Sequence, residues 1–119
     1  VSETTIMRKC LLTLTKFGRY FRNNSGVLQD KNGTYVHYGL CTGSSDIIGC
    51  TPIVVTNKMV GKTVGVFTAI EVKSDKGKPT KEQSSFIEMV KNNGGISGIA
   101  RSDKESLQII QNYVESMKD

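Results

Sequence analysis

The sequence predicts an α/β fold in which a mixed central β-sheet is flanked by helices. Two observations lead there. Apolar residues recur at helical spacing near both ends of the chain and again after Thr80. Between these stretches, short alternating or continuous apolar runs are punctuated by glycine, proline and asparagine, as strands and turns are. The order is therefore helix, strands, helix, strand, helix, which fits a sheet covered by helices.

Ile6, Cys10, Leu14 and Phe17, with Leu11 beside them, give one apolar stripe over residues 3–17, and Gly18 ends it. The following "RYFRNNSGVLQDKNGTYVHYGL" alternates aromatic and β-branched residues with turn formers, and Asn32-Gly33 is a two-residue hairpin signal. Tyr20, Phe21, Tyr35 and Tyr38 fall in this alternation, which favours sheet packing over base stacking. Apolar runs at 47–48, 53–55 and 64–72, separated by Gly49, Pro52 and a polar turn at Asn57-Lys58, predict a hairpin with an irregular, basic tip. In the last run Val64, Val66, Thr68, Ile70 and Val72 share a face that reads as core. Gly65, Phe67, Ala69, Glu71 and Lys73 share the other. From Thr80, Phe86, Ile87 and Val90 make a helical stripe that stops at Gly94-Gly95. "ISGIA" then reads as a buried strand, and Ser102 opens a last helix carrying Leu107, Ile110, Val114 and Met117. Thr80-x-x-Gln83 and Ser102-x-x-Glu105 are capping boxes.

A chain of 119 residues suits a single domain spanning 1–119. Its net charge of +5 favours a polyanionic partner such as nucleic acid. No apolar run of membrane-spanning length and no secretory leader pattern are present. Cys10, Cys41 and Cys50 are odd in number and lack C-x-x-C spacing, which argues against a disulfide framework or a zinc cage. A reducing cytoplasm is the expected location. The single histidine, His37, removes a His-based nuclease or zinc hydrolase from contention and reads as a strand residue.

Glu71 and Lys73 alternate onto one strand face where an apolar strand meets solvent. A magnesium ion takes hard oxygen ligands, commonly one or two carboxylates plus water and substrate phosphate. Glu71 is one such carboxylate, and the Val72 carbonyl beside it is a further oxygen. Asp46, opening the first strand of the predicted hairpin behind "GSS", is the best-placed second carboxylate, because antiparallel pairing would bring it level with the end of the Glu71 strand. Lys73 would then orient the attacking water or offset charge building on phosphorus. The simpler readings are a solvated ion pair at 71 and 73 and, at Asp46, a turn residue whose oxygen satisfies a local amide.

Taken in order, "FRNNSG", "GSSDIIG" and "AIEVKSDKGKPTKEQSSFIEMVKNNGGISGIARS" resemble the virus-type replication-repair nuclease (VRR-NUC) domain of the PD-(D/E)XK nuclease superfamily. The likeness runs through nearly the whole chain. It implies a restriction-endonuclease-like core and a Mg2+-dependent endodeoxyribonuclease, with Mn2+ as a possible substitute. It also implies that Asp46 and Glu71 bind the metal, that Lys73 is the catalytic lysine, that Gln83 helps build the site and that Glu3 adds a carboxylate. Gln83 and Glu3 have simpler readings as a capping-box residue and as an acid favoured by the helix dipole. The superfamily's proline before the aspartate is Ser45 here, and the Asp46 to Glu71 separation is longer than in a minimal hairpin.

Arg22 and Arg19 before the first hairpin, Lys58 and Lys62 at the basic tip, and Lys76, Lys78 and Lys81 after Lys73 are candidate phosphate contacts. Arg101 ends its strand toward the expected cleft. Stand-alone domains similar to this one, in phages and other viruses, look like homodimeric Holliday-junction resolvases, whereas copies fused to larger repair proteins cut flaps as monomers. Length and resemblance favour the dimer acting on branched DNA. The alternatives are a non-catalytic basic nucleic-acid-binding module and a flap-cutting, duplex-cutting or restriction-type nuclease on the same fold.

Overall fold

The structure, a computed structural model, describes residues 2–119. In chain order it contains α1 (Glu3–Leu14), β1 (Arg19–Arg22), β2 (Gly26–Gln29), β3 (Tyr35–Tyr38), β4 (Ile47–Cys50), a 3-10 turn (Asn57–Met59), β5 (Thr68–Val72), α2 (Lys81–Asn92), β6 (Ile96–Ala100) and α3 (Asp103–Ser116). The expected mixed α/β architecture is present, with the strands in the pairs β1–β4, β2–β3 and β5–β6. The chain divides into two compact units, one up to Thr51 and one from Pro52 onward.

In the first unit, α1 starts at Ser2, whose hydroxyl accepts the Thr5 N–H at 3.2 Å. The helix ends at Leu14, short of the predicted Phe17, and Phe17 is exposed. Ile6 is exposed as well, while Met7, Cys10, Leu11 and Leu14 are half-buried. Helical geometry explains the shift. A strict four-residue series drifts by about 40° per step, so the packed stripe is centred between Met7 and Leu14 and leaves Ile6 at its margin.

The β2–β3 hairpin forms where expected, paired from Gly26↔Tyr38 to Gln29↔Tyr35. Its loop is longer than the two residues that Asn32-Gly33 suggested. The Asp30 N–H donates to the Thr34 carbonyl at 2.8 Å, which leaves Lys31, Asn32 and Gly33 between them. One Asp30 carboxylate oxygen accepts the N–H groups of Asn32 and Thr34, both at 2.9 Å. Gly33 closes the loop at φ 81°, a left-handed conformation that glycine adopts without strain.

β1 and β4 pair antiparallel from Arg19↔Cys50 to Arg22↔Ile47. This overturns the hairpin expected over residues 47–72. The partner of β4 is β1, the partner of β5 is β6, and residues 53–55 and 64–66 lie outside any strand. Val54 and Val55 are 87% and 77% exposed. β-branched runs become strands only where a ladder partner is available, and here the partners come from segments far away in sequence.

In the second unit, β5 and β6 are parallel, in register from Thr68↔Ile96 to Val72↔Ala100, with α2 as the crossover that parallel strands require. Ile87 and Val90 of α2 are buried, as are Ile96 and Ala100 of β6. Gly95 follows α2 with no room for a side chain, since a Cβ there would lie 2.7 Å from both the Phe67 carbonyl and Val90 Cγ1. The packing of α3 falls on β6, with Ile109 against Gly98. The β5 face expected to be core is not uniformly so. Ile70 is half-buried, but Thr68 is exposed and Val72 is 73% exposed. Ala69 and Glu71 are half-buried in turn, because α2 packs against this strand and burial follows the helix rather than side-chain polarity.

Candidate active site

Alternation along β5 places Glu71 and the following Lys73 on one side, and the two side chains meet. Lys73 Nζ lies 3.4 Å from Glu71 Oε2, with the side chains 19% and 29% exposed respectively. The Lys73 N–H donates to the Ala100 carbonyl at 3.1 Å, so the β5–β6 ladder holds the backbone of the lysine as well. Partial burial makes this a more restrained pair than a typical surface contact, which contributes about 0–1 kcal/mol.

Beside Glu71 is an open pocket of about 380 Å³ between β5 and α2. Ile70, Phe86 and Ile87 supply apolar lining, and Glu71, Glu82 and Gln83 supply polar groups. Gln83 has the capping role that its spacing suggested. Thr80 Oγ1 accepts the Gln83 N–H at 3.1 Å, and Gln83 Oε1 accepts the Thr80 N–H at 2.9 Å. Its Nε2 makes no hydrogen bond among the described residues. The capping box therefore commits the oxygen of Gln83 and leaves its amide nitrogen uncommitted in a residue that lines the pocket.

Arg101 was expected at the cleft, and its hydrogen bonds show a different commitment. Its Nη1 donates to the carbonyls of Ser74 at 2.5 Å and Gly77 at 2.7 Å, with a longer contact to Asp75 at 3.3 Å. The guanidinium thus fastens the turn that follows Lys73 and carries Lys76. The Arg101 N–H donates to Glu105 Oε1 at 2.8 Å, so Glu105 reaches one residue beyond the expected cap, while Ser102 Oγ accepts the Glu105 N–H at 3.1 Å. Lys76, Lys78 and Lys81 are exposed.

Asp46 belongs to the first unit and is exposed at the start of β4. The simpler reading gave its carboxylate a local amide to satisfy. Among the described residues that carboxylate has no hydrogen bond or ion pair. Asn23, whose role no local sequence pattern signals, binds the turn instead. Its Nδ2 donates to Ser44 Oγ at 2.7 Å and to the Ser45 carbonyl at 2.9 Å. The available signal was its place within "FRNNSG", which carried the resemblance without pointing to a contact.

Glu3 lies exposed in the first turn of α1, where the helix dipole favours an acid. Arg22, Lys58 and Lys62 are exposed. Among the described residues no three His, Cys, Asp or Glu side chains gather as a metal cage. Asp46 in the first unit and Glu71 in the second each present carboxylate oxygens, the ligand type that a hard divalent cation takes.

The family model of the VRR-NUC domain matches residues 28–104, more than half of the chain. The chain belongs to the VRR-NUC family. Membership makes it a nuclease of the PD-(D/E)XK type, with DNA as substrate, and nucleases of this type generally use divalent metals. The VRR-NUC match contains Asp46, Glu71, Lys73 and Gln83, whereas Glu3 and Arg22 precede it. No curated protein and no solved structure matches the chain. Among the described residues no helix is long and apolar enough to cross a membrane.

Proposed function

We propose that residues 1–119 act as one nuclease domain, a Mg2+-dependent endodeoxyribonuclease that cuts branched DNA, with four-way junctions preferred and a homodimer as the working form. In this reading Asp46 and Glu71 are metal ligands, the Val72 carbonyl is an additional oxygen donor, and Lys73 is the catalytic cation. The observation that carries it is the Glu71–Lys73 pair, held 3.4 Å apart at the end of a strand within the VRR-NUC match. The net charge of +5 agrees with a phosphate-rich substrate.

A bound divalent cation supplies polarisation of the phosphodiester and acidification of water. The ammonium of Lys73 stabilises the negative charge that grows on the phosphate oxygens as the bond breaks. Glu71 keeps that ammonium at the end of β5, and Gln83 Nε2 orients the phosphate group or the attacking water. Glu3 adds a weaker carboxylate. The exposed cations Arg22, Lys58, Lys62, Lys76, Lys78 and Lys81 hold the DNA backbone without reading its sequence. Because one site cuts one strand, symmetric cutting of a junction requires a second copy, and a two-fold pair is the usual arrangement.

The test incubates the purified chain with labelled four-way junction, flap and linear duplex, in magnesium, in manganese and with chelator, beside Lys73→Ala. Metal-dependent cutting of the junction ahead of the others, lost in the variant, is the expected result. No cleavage of any substrate would overturn the catalytic reading, and equal cleavage of duplex and junction would overturn the structural preference.

A further inference from the structure

We infer that Asn23 is a positioning residue that fixes the main chain of Asp46 so that its carboxylate is left for a divalent cation. The inference rests on the reading of Asp46 as a metal ligand. Asn23 is only 8% exposed although its side chain is polar, and burial of an amide is tolerated when its groups are hydrogen-bonded. Here both ends are bonded, and all partners lie in the segment just before β4. Nδ2 donates to Ser44 Oγ at 2.7 Å and to the Ser45 carbonyl at 2.9 Å. Oδ1 accepts the Leu40 N–H at 3.2 Å. The Asn23 N–H donates to the Asp46 carbonyl at 2.7 Å, which carries the β1–β4 ladder one step past Arg22↔Ile47.

Residues 40–46 have little else to hold them. They contain no helix or strand, Gly43 takes φ 82°, and Leu40 is 62% exposed. The remaining side-chain links run through Ser44, whose Oγ donates to Ser25 Oγ at 3.4 Å and accepts the Cys41 N–H at 3.5 Å. An aspartate in such a turn commonly bonds its own neighbouring amides. With Asn23 binding the turn, the Asp46 carboxylate has no local partner among the described residues. Groups that orient a ligand without touching the metal typically change metal affinity by about 10–100-fold when removed.

The test compares the wild type with Asn23→Ala, Ser44→Ala and Asp46→Asn by calorimetric titration with Mn2+, by the metal dependence of cleavage at saturating DNA, and by hydrogen exchange over residues 40–46. Asn23→Ala is expected to weaken Mn2+ binding by about tenfold, to leave the KM for DNA unchanged, and to lose protection at the Leu40 amide. If Asn23→Ala does not fold, Ser44→Ala carries the same test, with a smaller rise in the Mn2+ requirement. A purely structural role would lower the melting temperature and leave the metal affinity of the folded protein as it was. Unchanged affinity in the folded Asn23 or Ser44 variant, beside an Asp46→Asn protein that has lost binding, would overturn the inference and leave the nuclease reading standing. Wild-type affinity and cleavage in Asp46→Asn would overturn the role of Asp46, and the inference with it.

Discussion

The Lys73 ammonium stands 3.4 Å from Glu71 Oε2, across a single intervening residue whose own side chain points away into solvent. Val72 is 73% exposed, so the strand end keeps an apolar side chain in water while an acid and a base share the partly buried side. Replacing Lys73 by alanine is expected to reduce cleavage by at least about a hundredfold. Stability should fall by about 1 kcal/mol, the top of the range for surface pairs, because this pair is partly buried. Single-turnover kinetics and a urea melt on the same preparation separate the two effects.

The two roles of Gln83 come apart by substitution. Gln83→Glu keeps an oxygen to accept the Thr80 N–H and removes the Nε2 donor, so the start of α2 should survive while any contribution of the amide nitrogen to cleavage is lost. Thr80→Ala removes the acceptor of the Gln83 N–H and should cost about 1 kcal/mol in denaturant unfolding. A stability loss in Gln83→Glu as large as that in Thr80→Ala would contradict this division.

Gly49 and Gly43 should respond to substitution for different reasons. A Cβ at Gly49 would press on the Arg19 carbonyl and the Tyr20 Cα across the β1–β4 pair, and backbone cannot easily give way. Gly49→Val should therefore cost about 1–3 kcal/mol or more. Gly43→Ala meets no atom within 4 Å and pays only for its φ of 82°, about 1–2 kcal/mol. Melting temperatures of the two variants, and the loss of β1–β4 amide protection in the first alone, distinguish packing from backbone strain.

Burial raises the Cys50 thiol above its ordinary value, since the thiolate is disfavoured away from water. A raised folded-state pKa gives stability that is whole below the unfolded thiol value of about 8.5 and is lost as the pH rises through the folded value. The melting temperature should fall in that alkaline window, with a shallower fall in Cys50→Ala. Exposed Cys41 should react with iodoacetamide in the native protein, and Cys50 only on unfolding. Equal reaction of both thiols in the folded state would contradict the observed burial.

What the sequence made legible was local. The helix starts at Thr80 and Ser102, the turn near Gly33 and the strand that carries Glu71 all follow from spacing and cap chemistry within a few residues. Strand partners did not follow, because the apolar run at 53–55 carries as strong a β signal as the one at 47–48, and only the segment opposite decides which is used. The site divides the same way. Glu71 and Lys73 were readable because alternation alone puts them together. The contacts of Asn23 to Ser44 and of Arg101 to Ser74 span 21 and 27 residues, and no periodicity encodes them.

The Arg101 guanidinium also bears on how the chain counts its cations. The net charge of +5 weighs all sixteen Lys and Arg equally, yet a group fastened through Nη1 to the Ser74 and Gly77 carbonyls is poorly placed to replace a condensed counterion on DNA. Each phosphate that is neutralised adds about 0.9 to the slope of log affinity against log salt. That slope should therefore reflect the exposed cations Arg22, Lys58, Lys62, Lys76, Lys78 and Lys81, and Arg101 should enter it only by holding in place the turn that carries Lys76.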